Sequence, residues 1–116
     1  MPDVTIYHNP RCSKSRQTLQ LLRDQGVEPV IVEYLKHPLS EARIKQLLKM
    51  LDIEPRELLR KSEAEYRQLR LDDPKINPAS LVKAMAAHPQ LIERPIVVSG
   101  RRAALGRPPE RVLEII

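Results

Sequence analysis

The sequence predicts an α/β domain built on a mixed sheet of about four strands, with a helical insertion in its middle. Short β-rich runs at residues 4–7, 30–34 and 94–98 are separated by stretches whose apolar residues keep helical spacing. Proline, glycine and asparagine fall at the junctions between these runs, where they act as punctuation. The first two runs are joined by a helical stretch, the kind of crossover a parallel strand pair requires.

Val4-Thr5-Ile6-Tyr7 opens the sheet and stops at Asn9-Pro10, a pair that favours a turn and cannot extend a central strand. A helix follows from Ser13, carrying Leu19, Leu21 and Leu22 among good helix formers, with Gly26 suited to its C-terminus. Val30-Ile31-Val32 runs on to Tyr34 and reads as a buried strand, parallel to the first and reached by a right-handed crossover. Ser40 is an N-cap without the acidic partner of a full capping box, because Arg43 stands at N3, and Ile44, Leu47, Leu48 and Leu51 continue a second helix. Pro55, Leu58, Leu59, Tyr66 and Leu69 suggest two short helical turns. Asn77-Pro78 sets a cap ahead of a first-turn proline, and Leu81, Val82 and Met85 share one face of a helix ending near Ala87. Residues 94–98 form the third strand, Ser99-Gly100 turns it into a hairpin with Arg102-Ala103-Ala104, and a closing helix runs from Pro108 to Ile116. The order β-α-β, helical insert, β-β-α is that of a thioredoxin-like domain.

With 116 residues the expectation is one domain, 1–116, since a second would be too small for its own core. All three aromatic residues are Tyr, so Leu, Ile, Val and Ala must fill that core. The formal charge of +5 favours anionic partners. Single-strand readers pair basic grooves with stacking aromatics, and Tyr7, Tyr34 and Tyr66 are too scattered to provide them, so no nucleic-acid partner is expected. No apolar run approaches the about 18 residues a membrane helix needs. A single cysteine cannot form an internal disulfide, and no basic leader with an apolar stretch opens the chain, so the cytoplasm is the expected compartment. A monomer is the default for a domain of this size.

Cys12 falls in the turn between the first strand and the first helix, where unsatisfied backbone N–H groups and the positive helix end favour a thiolate. Helix N-termini and cationic neighbours bring a cysteine from about 8.5 down to roughly 3.5–7.5, and His8, Arg11, Lys14 and Arg16 are candidates for the second effect. A lone cysteine is commonly a small buried hydrophobe. Here Asn9, Arg11, Ser13, Lys14 and Ser15 surround it with polar groups, so the segment reads as a solvent-facing anion loop. The tyrosine-phosphatase pattern is absent, because Thr18 stands six residues on and the arginine comes at Arg16. Ser15 occupies the place of the second cysteine in a dithiol motif, so any disulfide step must recruit an outside thiol.

Residues 7–16, Tyr-His-Asn-Pro-Arg-Cys-Ser-Lys-Ser-Arg, closely resemble the active-site loop of the arsenate reductases that use glutathione and glutaredoxin. Leu58-Leu59-Arg60-Lys61 resembles that family's mid-chain arginine segment, residues 92–98 resemble its arginine-proline strand, and Gly106-Arg107-Pro108 with Val112-Leu113 resembles its third arginine segment. Some family members carry a longer C-terminal tail, and ending at Ile116 this chain looks like a short subgroup.

The resemblance implies a thioredoxin-like core in which Arg60, Arg94 and Arg107 gather around Cys12 to bind a tetrahedral oxyanion, a task suited to guanidinium forks. It implies His8 as a catalytic partner holding the cysteine as thiolate, with Ser15 and Arg16 supporting the loop. Pro95 would follow a cis bond by analogy with thioredoxin-like folds, although trans is the default. The implied chemistry is attack of the Cys12 thiolate on arsenate, with glutathione as co-substrate and glutaredoxin resolving the mixed disulfide; no metal and no bound cofactor are expected. Two alternatives share the fold: a reductase of another oxyanion, and an Spx-like regulator that binds RNA polymerase. The regulators commonly use a two-cysteine switch, which Cys12 with Ser15 does not provide.

Overall fold

A computed structural model describes residues 3–116. Within the span expected as one domain, the residues cluster into two compact units: the described part of Met1–His37 with Arg94–Ile116, and Pro38–Glu93.

The first unit carries the sheet. Strand β1 (Val4–Tyr7), helix α1 (Ser13–Asp24), strand β2 (Val30–Val32), strands β3 (Ile96–Ser99) and β4 (Arg102–Leu105) and a closing 3₁₀ helix (Pro109–Glu114) follow in chain order. The sheet order is β2-β1-β3-β4. β1 pairs parallel to β2, with Ile6 opposite Ile31, and antiparallel to β3, with Ile6 opposite Val97. β4 returns antiparallel on β3 through the expected hairpin. A one-residue slip would turn Ile6 and Val97 away from the core they share with Leu22 and Val112, so burial fixes the register. Truncating Leu22, fully buried, to alanine would cost about 2–5 kcal/mol. α1 ends where Gly26, at φ +78°, takes a left-handed turn that other residues adopt at a cost.

Two sequence expectations change. β2 is not a buried strand: it is an edge strand whose Val30 and Ile31 are 60% and 39% exposed. An apolar run resembles a doubly covered central strand, and only the topology shows that among the described residues β2 has no strand on its far side. The closing helix is 3₁₀, with Arg111 N–H on Pro108 O and Ile115 N–H on Val112 O. Pro108 and Pro109 withhold two N–H groups at its start, so a regular α-turn has little to build on.

The second unit is helical: α2 (Glu41–Leu51), α3 (Pro55–Leu58), α4 (Ala64–Gln68), α5 (Pro78–Ala87) and a 3₁₀ turn (Pro89–Leu91). Ser40 Oγ accepts from Arg43 N–H at 3.1 Å and Asn77 Oδ1 from Ser80 N–H at 2.8 Å, so both caps read from the sequence are formed. α5 packs on α2 and α3, burying Ile44, Leu47, Leu58, Leu81 and Met85. Arg56 donates to Leu71 O at 2.7 Å and Ile76 O at 3.3 Å, tying down the loop before α5. The α/β class, the four-stranded mixed sheet and the helical insertion thus agree with the sequence, and the arrangement is thioredoxin-like. Among the described residues no helix is long and apolar enough to cross a membrane.

Candidate active site

β1 delivers the chain to the start of α1, and the residues between form a knot of hydrogen bonds centred on Ser15. Its side chain is fully buried, and Oγ lies 2.6 Å from His8 Nδ1 while accepting the Asn9 N–H at 3.0 Å. Asn9 then works in both directions: its carbonyl accepts from Cys12 N–H, and its Oδ1 accepts from Arg11 N–H, both at 3.0 Å. Arg16 Nη1 donates to Pro10 O at 3.0 Å, closing the loop from outside. The expectation of a solvent-facing loop therefore holds only in part. Arg11, Ser13 and Lys14 are exposed, but His8, Asn9 and Ser15 are buried because the turn uses their polar groups internally. Asn9 organises the loop, a role its sequence context does not announce: pairing with proline marks a turn and gives no sign of these hydrogen bonds.

Cys12 is the N-cap residue of α1, in extended backbone conformation, and its side chain is partly exposed. Burial pushes its thiol up, but the Ser15 N–H, the Arg94 side chain and the Lys14 N–H together outweigh this and leave it below the ordinary cysteine value. No side-chain capping hydrogen bond is formed at Cys12, and the N–H groups of Ser15 and Lys14 in the first turn are the part of the helix end that favours its ionised form. His8 moves the other way from the reading in which a protonated imidazole reinforces that field. Burial holds it below the usual histidine value, against the pull of Glu33 and with help from Arg23 and Arg16, so the neutral ring is favoured near pH 7. Its geometric link to the cysteine loop is Ser15.

Arg94 approaches Cys12 from the segment before β3, and the Arg94-Pro95 and Arg107-Pro108 bonds are both cis. Arg107 Nη1 donates to Arg94 O at 2.9 Å, so the third arginine braces the backbone of the second. Gly106 allows this fit. A Cβ there would collide with Thr18 Oγ1 of α1 and lie 2.7 Å from Pro95 Cγ. Gly106 N–H also bonds to Pro95 O at 3.0 Å. Arg60 belongs to the other unit, where Nε lies 3.3 Å from Glu63 Oε1 and Nη1 lies 3.5 Å from Glu93 Oε1. The first unit thus brings together Cys12, His8, Ser15, Arg16, Arg94 and Arg107, while Arg60 is held by two carboxylates of its own unit. Among the described residues no three His, Cys, Asp or Glu side chains converge in a way that could hold a metal ion. Chemically, the arrangement offers a partly exposed thiol, held below the ordinary cysteine value, beside a guanidinium.

The sequence pattern of the ArsC family matches residues 7–115. The chain is 52% identical to the uncharacterized protein YfgD of Escherichia coli K12, over 97% of this chain and 96% of that one. It is 46% identical to an arsenate reductase of Haemophilus influenzae, over 97% of this chain and 98% of the relative. Among solved structures, an arsenate reductase from Vibrio cholerae superposes with a TM-score of 0.97 at 48% identity, covering 99% of this chain and 98% of that one.

Proposed function

The chain belongs to the ArsC family, and from that premise we propose that it reduces arsenate to arsenite with Cys12 as nucleophile. The observation that carries the proposal is the Cys12 thiol, held below its ordinary value by backbone N–H groups and Arg94 at the start of α1.

The Cys12 thiolate attacks arsenic and expels hydroxide, which leaves as water, giving a covalent thiol-arsenate adduct. Arg94 is the donor nearest this chemistry, Arg107 supports it through Arg94's backbone, and Arg60 is assigned to oxyanion binding by family position. Fixed guanidinium donors of this kind stabilise the charge on the adduct's oxygens. An external thiolate then attacks the Cys12 sulfur; the S–As bonding pair stays on arsenic, which leaves as arsenite, and a mixed disulfide remains on Cys12. A second thiol attacks that disulfide and restores the Cys12 thiolate. With one cysteine in the chain, both reducing thiols come from outside. We assign the first to glutathione and the second to glutaredoxin. The electrons come from thiols, so the cycle uses no resident cofactor or metal. The protein would act as a cytoplasmic monomer with residues 1–116 working as one functional domain.

The test is arsenite formation from arsenate with glutathione and glutaredoxin, comparing the native chain with Cys12→Ser. Native activity that disappears in the variant supports the assignment. Native inactivity toward arsenate, with turnover of another oxyanion, would move the chain to that substrate.

A further inference from the structure

A concavity lies against the cysteine loop, and the proposed reaction gives it no role. It encloses about 240 Å³ between the loop and the turn after β2, and its walls are formed by His8, Pro10, Arg11, Glu33, Leu35 and Lys36. Arg11 is the residue immediately before Cys12 in the chain, so the hollow borders the loop that carries the nucleophile. Two cations and one carboxylate line the hollow, together with apolar surface from Pro10 and Leu35, the latter 41% exposed. Glu33 and Lys36 are 3.7 Å apart with side chains 37% and 72% exposed. An ion pair this open to solvent is weak and easily exchanged for ligand charges.

We propose that this hollow is the seat of the external thiol that attacks the Cys12 adduct, and that it selects a small zwitterionic thiol bearing carboxylates and one ammonium. Arg11 and Lys36 receive the carboxylates, Glu33 receives the ammonium, and Pro10 and Leu35 cover the methylene and peptide portions between them. Glutathione has this charge pattern, and the volume accommodates a tripeptide or most of one. The inference rests on the proposed reductase reading only in needing an outside thiol, which the single cysteine requires of any disulfide cycle here. Placing the thiol on the β2 side leaves the Arg94 side of Cys12 to the oxyanion. The thiolate then forms a bond to the Cys12 sulfur from one side as the bond to arsenic breaks on the other, with the electron pair leaving on arsenic.

The test uses thiol exchange, which requires no arsenate. The full chain is converted to the Cys12–thionitrobenzoate disulfide, and release of thionitrobenzoate is followed with glutathione, mercaptosuccinate (anionic, without an ammonium) and neutral 2-mercaptoethanol. Attack of the added thiolate on the Cys12 sulfur forms the new disulfide and expels the coloured thiolate, so atoms and electrons balance. Lys36→Glu is expected to slow glutathione and mercaptosuccinate by about five-fold or more while leaving 2-mercaptoethanol unchanged. Glu33→Gln is expected to slow glutathione but not mercaptosuccinate, since only the first carries an ammonium. S-methylglutathione, which cannot react, should slow exchange by glutathione in the native chain. If both variants shift the two anionic thiols alike, or neither changes the preference for glutathione over 2-mercaptoethanol, the seat is elsewhere. That outcome leaves arsenite formation untouched, and loss of arsenite formation leaves the exchange measurement readable.

Discussion

Arg94 and Arg60 carry the same side chain in opposite settings. Arg94 faces the Cys12 thiol and lowers its pKa, with its own backbone braced by Arg107. Arg60 lies between Glu63 and Glu93 of the helical unit, with its side chain only 16% exposed. The first guanidinium spends its charge on a group that ionises; the second has much of its charge offset by carboxylates ionised already. Residue type and family position alone would rank the two equally, and the setting separates them.

The largest expected effect sets the scale for this comparison: Cys12→Ser should reduce arsenite production to background, since no other cysteine can take over. Arg94→Ala should lower kcat/KM for arsenate on the order of 10²-fold, the usual cost of removing one oxyanion donor. It should also move the pH midpoint of Cys12 alkylation upward, because two of the effects lowering the thiol come from Arg94. Gly106→Ala tests Arg94's placement without changing any charge. The added methyl presses on Thr18 and Pro95, and chemical denaturation should show a loss of about 1–3 kcal/mol, accompanied by weaker arsenate turnover. Arg60→Ala should cost less than Arg94→Ala in the same assay and leave the alkylation midpoint where it is; equal losses would break the comparison.

The smallest effect concerns acid stability. The folded chain holds His8 below its usual value, so as pH falls the unfolded state takes up more protons. Stability is therefore full above about 6.5 and declines as pH drops toward the folded value. Cys12, also lowered, acts in the same sense at higher pH: its contribution is present above the unfolded thiol value and is lost as pH falls through the folded one. Thermal melts at pH 7.5 and 5.5 should show a larger drop for the native chain than for His8→Gln.

The caps Ser40 and Asn77 made the helices of the inserted unit legible, because a side-chain oxygen ahead of an amphipathic run has a local meaning that tertiary structure did not override. Cys12 was legible for a related reason: its place between strand and helix is itself an electrostatic statement. The interior of the site was less so. α1 buries Ser15, Thr18 and Leu22, and two of these are polar, so hydrophobic spacing could not mark the face that carries the loop. Ser15 reads from the sequence as the place of a missing cysteine and, by resemblance, as a loop support; that it is the buried hub joining His8 to Asn9 only the fold shows. The clearance that Gly106 gives Thr18 and Pro95 depends on segments distant in sequence, and no local pattern records it. For Arg60 and Arg107 the resemblance supplied positions, but their partners became visible only once the chain was folded.

The exposed edge at β2 bears on how the chain behaves when crowded. Val30-Ile31-Val32 is a β-prone stretch on an open edge, the kind of surface on which a second chain could add a strand. It is three residues long, Pro29 at its start has no N–H to offer, and Glu28 and Glu33 bracket it with like charges. Two copies meeting antiparallel along this edge would crowd those carboxylates together with their Arg23 and Lys36 partners, charged groups that a second strand would have to accommodate or desolvate. The apolar stretch thus has guards against self-assembly written at both of its ends, and replacing Glu28, Pro29 and Glu33 with threonine should turn a quiet edge into a nucleus for aggregation, visible as rising light scattering.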